Sequence, residues 1–169
     1  MRSRTPPVRS NTVTVLNRQR GFRIDCQKLA AAVCSVLDCL RVRGQEVNVV
    51  LVSDRTMARL NWTYRHVRGP TDVVSFPMRE GEHGDVSGFL LGDVVLSLET
   101  LERQAREPHD DGRPATGTPA RELALMTVHG VLHLLGFDHE QGRTLAARML
   151  ARERDLFART ASLFPDVTR

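Results

Sequence analysis

The stretch HGVLHLLGFDH, from His129 to His139, constrains this chain more than any other. It closes a run from Arg121 to Leu135 that is apolar on most sides of a helix, the pattern of a helix packed into a core. Residues four apart share a helix face, with Cβ atoms about 5–6 Å from each other. His129 and His133 can therefore reach one ion from the same side. Gly136 supplies the stop, because a glycine can take the left-handed conformation that ends a helix and turns the chain back. That turn lets His139 approach as a third ligand.

Three neutral imidazoles suit zinc, one ion per chain, with nickel or another divalent ion as the alternative. No cysteine lies nearby to complete the coordination, so a fourth position is left for water, as in catalytic zinc sites. The spacing H-x-x-x-H-x-x-G-x-x-H is that of the metzincin proteases, whose glutamate after the first histidine is Gly130 here. That glutamate is the peptidase general base. Without it proteolysis lacks a proton acceptor, while the metal's capacity to bring a bound water to a pKa of about 7 is untouched. Asp138, next to a ligand, is a candidate proton acceptor or a residue that orients the turn. Glu122 shares the stripe of Met126, His129 and His133, but at about 1.5 Å per residue it is roughly 10 Å from His129, which leaves it a capping or supporting role. His83 and His109 fall in loops without ligand-like spacing and stay outside the metal set.

At 169 residues and 41% hydrophobic the chain reads as one domain over 1–169, able to bury a core without disulfides. Cys26, Cys34 and Cys39 are odd in number and lack metal-type spacing, so they read as small core residues of a reducing compartment. The net charge of +4 comes from arginine, since Lys28 is the only lysine. Residues 1–23 carry six arginines and no acid, and residues 41–79 carry seven against Glu46, Asp54 and Asp72. A basic surface near a hydrolytic metal favours a polyanion such as RNA, against the plain alternative of a solvated arginine-rich surface. No apolar run approaches the roughly 20 residues that span a bilayer, and no apolar signal segment opens the chain, which places the protein in the cytoplasm with no membrane partner. Residues 1–10 are expected to form a frayed tail.

Thr12–Asn17 alternates and is β-branched, a first strand. Asp25 then caps a helix over 27–41, and Glu46–Val52 is a nearly continuous apolar strand expected at the centre of its sheet. Ser53 or Asp54 caps a short helix to about Arg65 with Met57, Leu60 and Tyr64 on one face. Gly69-Pro70 breaks the chain before a short strand at 72–76, which Pro77 ends or confines to an edge. Arg65, just before that break, can fork onto a phosphate oxygen or serve as a surface or capping arginine. A mobile acidic loop at 79–90, a strand at 91–97, a helix at 98–106 and a flexible connection at 107–118 follow. Thr118 caps the histidine-bearing helix, and a last helix runs from Gly142 to about 162 with Leu145, Met149, Leu156 and Phe157 inward. The whole predicts an α+β fold: a small mixed sheet of about four strands, about five helices, and a central metal-bearing helix.

HGVLHLLGFDH, taken with LNWTYR at 60–65 and GPTDVVSFP at 69–77, resembles the YbeY family of metal-dependent endoribonucleases, which act in ribosomal RNA maturation. The resemblance covers roughly residues 46–150. It rests on the three histidines, the glycine at 130, the arginine at 65 and the Thr71–Pro77 strand. It implies zinc held by His129, His133 and His139, a catalytic and substrate-binding role for Arg65, and ribosomal RNA precursor, in its single-stranded regions, as substrate. Ribosomal subunits or ribosome-associated proteins are the implied partners. The rival readings are a metzincin-like metallopeptidase and a non-enzymatic ribosome-assembly factor whose zinc is structural.

Overall fold

In the computed structural model of the protein, residues 9–78, 88–109, 113–137 and 142–169 are described. The chain runs through β1 (Thr12–Asn17), β2 (Arg23–Ile24), α1 (Cys26–Cys39), β3 (Glu46–Val52), α2 (Asp54–Arg65), β4 (Val73–Pro77) and β5 (Leu90–Ser97). It continues through α3 (Leu98–Gln104), α4 (Pro119–Leu134), α5 (Arg143–Thr160), a single 3-10 turn at Ala161–Leu163 and β6 (Val167–Thr168). Capping side chains start the helices where expected. The Asp25 carboxylate accepts the Lys28 amide at 2.9 Å, and Ser53 and Thr118 accept the Thr56 and Arg121 amides.

Four strands form one sheet in the order β1-β3-β5-β4. β1, β3 and β5 are parallel, and β4 lies antiparallel to β5 at the edge, where Pro77 costs no ladder bond to a further strand. β3 is internal and apolar on both faces, which is why its sequence does not alternate. One face carries the larger core: Leu29, Val33, Val36 and Leu37 of α1 with Leu123, Val128, Val131 and Leu132 of α4, over Val47, Val49, Leu51, Val94 and Leu96. Met149 and Leu156 of α5 close it. On the other face Met57 of α2 packs on Val52, Val74 and Val95. Strand alternation thus places α2 on the opposite side of the sheet from α4.

The expected α+β class, the mixed four-stranded sheet and the buried central helix all stand. Three details differ. Met57 is buried as expected, but Tyr64 is 62% exposed, its ring edge-on to Phe76, and Asn61 takes the second buried position of α2. Leu145 is 40% exposed in the first turn of α5, whose buried positions are Met149, Glu153, Leu156 and Thr160. The small antiparallel pair of β2 with β6 had no signal, since two-residue strands have no periodicity to read.

Candidate metal centre and nucleic-acid surface

α4 is buried at nearly every position from Glu122 to Leu134, with His129 and His133 among its few partly exposed residues. The two imidazoles converge, with Nε2 atoms 3.1 Å apart. Gly130 lets the helix come this close to the sheet. A β-carbon there would lie 2.6 Å from Val94 Cγ1, 3.1 Å from Ser75 Oγ and 3.2 Å from Val73 Cγ2. Ser75 of β4 donates its hydroxyl to the Gly130 carbonyl at 3.1 Å, pinning the helix to the edge strand. The helix then ends as its glycine predicts. Gly136 has φ of 80°, its amide reaches the His133 carbonyl at 2.9 Å, and the Phe137 amide reaches the Leu132 carbonyl at 3.1 Å, the paired bonds of a glycine-terminated helix. His139 and Asp138 lie outside the described residues.

A carboxylate that the sequence reading missed fixes the first histidine. Glu153 of α5 is buried and accepts the His129 Nδ1–H bond at 2.6 Å, which directs the lone pair of Nε2 toward His133. Arg113 donates to the other oxygen of Glu153. The signal was present as an acid at an inward position of an amphipathic helix, four residues past Met149. Reading it needed the knowledge that α5 packs on α4.

A second buried acid organises the connection before α4. Thr116 donates to Glu122 Oε2 at 2.6 Å, and His109 Nε2 lies 3.4 Å from the same oxygen with both side chains buried. Burial pushes the Glu122 carboxyl above the usual carboxylate range, against the lowering influence of Thr116 and His109. Described residues of the expected flexible connection are therefore tied to the core at His109, Arg113 and Thr116. Glu122 thus supports that connection through Thr116 and His109.

Arg65 is exposed at the end of α2, beside the turn that leads into the edge strand β4, and makes no hydrogen bond or ion pair among the described residues. The motifs around it do structural work. Buried Asn61 donates to the Gly69 carbonyl at 2.9 Å, tying α2 to the turn before β4. Asp72 accepts from Thr71 Oγ1 at 2.9 Å and from the Val73 amide at 2.7 Å, starting the strand that carries Ser75 to Gly130.

The donor pair fits zinc. Two nitrogens about 2.0–2.1 Å from a tetrahedral ion stand about 3.3 Å apart, close to the 3.1 Å observed, and one of them is already oriented by a carboxylate. No group of three or more potential ligands assembles among the described residues, and the third histidine lies outside them.

The family model described as Endoribonuclease YbeY matches residues 14–161. The chain belongs to the YbeY family. An Endoribonuclease YbeY of Geobacter metallireducens is 37% identical over 147 residues, covering 86% of this chain and 93% of its own. One of Pelotomaculum thermopropionicum is 45% identical over 153 residues, covering 87% and 95%. The solution structure of a Thermotoga maritima protein shares the fold, with a TM-score of 0.57 and 25% identity over 86% of each chain. YbeY membership makes the chain one of a family named for endonucleolytic cleavage of RNA, which sets its broad class as a hydrolase. No described helix is long and apolar enough to cross a membrane. Within this YbeY chain, LNWTYR ties α2 to the turn before β4, and TDVVSFP ties β4 to the histidine helix.

Proposed function

We propose that the protein is a zinc-dependent endoribonuclease that cuts single-stranded regions of ribosomal RNA precursors during ribosome maturation. It would act as one domain over residues 1–169, in the cytoplasm, with ribosomal subunits or ribosome-associated proteins as partners. The observation that carries the reading is the 3.1 Å approach of two imidazole nitrogens on a buried helix, one of them oriented by buried Glu153. His129, His133 and His139 would hold one zinc ion. Such an ion supplies Lewis acidity toward a phosphoryl oxygen and makes water a stronger acid.

Glu153 keeps the Nδ1 proton on His129, so that Nε2 stays a donor to the ion. Arg65 would fork onto phosphate oxygens of the strand and offset the charge that builds on the phosphorane. Gly130 bears on the rival peptidase. A glutamate at that position has no room against Val94, Ser75 and Val73, so the place of the metzincin base is filled by the sheet.

The test measures metal content and cleavage of a ribosomal RNA fragment on the same preparations of wild type, His133→Ala and Arg65→Ala. One zinc per chain with cleavage is expected of wild type, and loss of both of His133→Ala. Arg65→Ala should keep its metal and lose roughly 10²–10³ in rate, the scale of one charge-stabilising donor. Zinc-loaded wild type that leaves RNA intact, alone and with ribosomal subunits, would overturn the nuclease. Normal cleavage by Arg65→Ala would remove the role given to that residue.

A further inference from the structure

α2 turns its apolar side to the sheet, and its solvent side carries an unusual set. Arg55, Arg59, Trp62 and His66 follow one another at helical spacings of four, three and four, and all four are exposed. Trp62, the chain's sole tryptophan, is 51% exposed in the middle of this stripe. The Arg68 guanidinium lies over the indole at 5.8 Å from its centroid, and the His66 ring meets it edge-on at 6.2 Å. Arg65 is one turn from Trp62 on the same side. None of Arg55, Arg59, Arg65 and Arg68 makes an ion pair among the described residues, because Asp54, the acid of this helix, is taken by Arg103. An exposed indole leaves apolar surface in water, and four arginines around it repel one another. Both costs disappear when a polyanion with flat, unpaired rings covers the face.

We propose that this outward face of α2, centred on Trp62, is an anchoring site for single-stranded RNA, in which a base stacks on the indole and Arg55, Arg59 and Arg68 hold the flanking phosphates. The site rests on the RNA reading given above and extends it, since it lies on the opposite side of the sheet from the histidine pair. A strand held here would pass over the β4 edge to reach the histidines, and Arg65, at the end of α2, stands on that route. An unpaired strand fits better than a duplex, whose bases present no free face to an indole. A membrane surface fits worse, because the apolar face of α2 is spent on Met57 and its contacts with the sheet.

The experiment uses the full chain carrying His133→Ala, so that RNA stays intact, and follows Trp62 fluorescence during titration with a short oligouridylate. Saturable quenching is expected, with none from a perfect RNA duplex. Anisotropy of a labelled oligouridylate should show Trp62→Ala binding roughly 5- to 150-fold weaker, the worth of one stacked base, with Trp62→Phe restoring most of it. Arg59→Ala should lower the slope of log affinity against log salt by about 0.7. Absence of quenching, or unchanged affinity in Trp62→Ala, overturns the site. Equal quenching by polyglutamate or by anionic vesicles also overturns it, in favour of an acidic protein or a lipid surface. The two readings fail separately. Wild type that cleaves RNA while Trp62→Ala binds and cleaves equally well sinks the anchor alone, whereas quenching by RNA that wild type never cuts sinks the nuclease alone.

Discussion

A β-carbon at residue 130 would stand 2.6 Å from Val94 Cγ1, so Gly130→Ala should cost about 1–3 kcal/mol by overpacking. Urea unfolding of the single variant and of Gly130→Ala with Val94→Ala checks the cause, since the added truncation should return part of the loss. If the loss is the same with Val94 truncated, the contact is not its source. Glu153 makes a different kind of prediction. Its bond to His129 Nδ1 holds ring and tautomer, so Glu153→Gln should weaken zinc binding about 10–100-fold in competition with a chelator of known affinity, while the far-ultraviolet circular dichroism stays that of wild type. Unchanged affinity would make Glu153 a packing residue that happens to touch a histidine. Both residues were in plain view in the sequence, but their roles were not. The bulk that surrounds Gly130 comes from β4 and β5, and the partner of Glu153 comes from another helix.

The ends of α2 show how one element serves two purposes. At its start, Asp54 accepts from Ser97 Oγ at 2.6 Å, Thr100 Oγ1 at 2.7 Å and Arg103 at 2.7 Å, while its own amide donates to Glu99 at 2.6 Å, locking α2 to α3. Burial alone would raise the Asp54 carboxyl, but the bonds from Ser97, Thr100 and Arg103 outweigh it and hold the group below its ordinary value of 3.8. A folded pKa below the unfolded one contributes stability that is present above 3.8 and lost as pH falls through the folded value. Asp54→Asn should therefore melt lower than wild type at neutral pH, by about 2 kcal/mol, and the gap should close in acid well below 3.8. A gap independent of pH would mean that the lock acts through shape rather than charge. The capping role of Ser53 was legible from its place before the helix, whereas the partners of Asp54 lie more than forty residues on.

For the molecule as a whole, the histidine helix is held by apolar contacts with the sheet, α1, α3 and α5, so its fold should survive removal of the proposed zinc. Chelation should abolish RNA cleavage yet leave the helical signal and a single cooperative melt, shifted down only by the lost binding linkage. Collapse of the fold on chelation would favour a structural zinc and the assembly-factor reading. The charge of the chain takes on meaning only at this scale too. Arg55, Arg59 and Arg65 come to the solvent side of α2 once the helix is wound and its other side is buried, and Arg68 joins them from beyond its end by lying over Trp62.

Periodicity, capping residues and the glycine at 136 were enough to place the principal helices and sheet strands, because each depends on contacts within a few residues. The histidine spacing was enough to bring His129 and His133 to one side of a helix for the same reason. The chain alone could not say which acid would reach across to His129, that the connection before α4 would be tied down by Glu122 and Glu153, or that α2, with Trp62 on its outer side, would pack across the sheet from α4. Those facts depend on which helix packs on which face, and that is settled by the burial of apolar surface summed over the whole core, a quantity no short stretch of sequence contains.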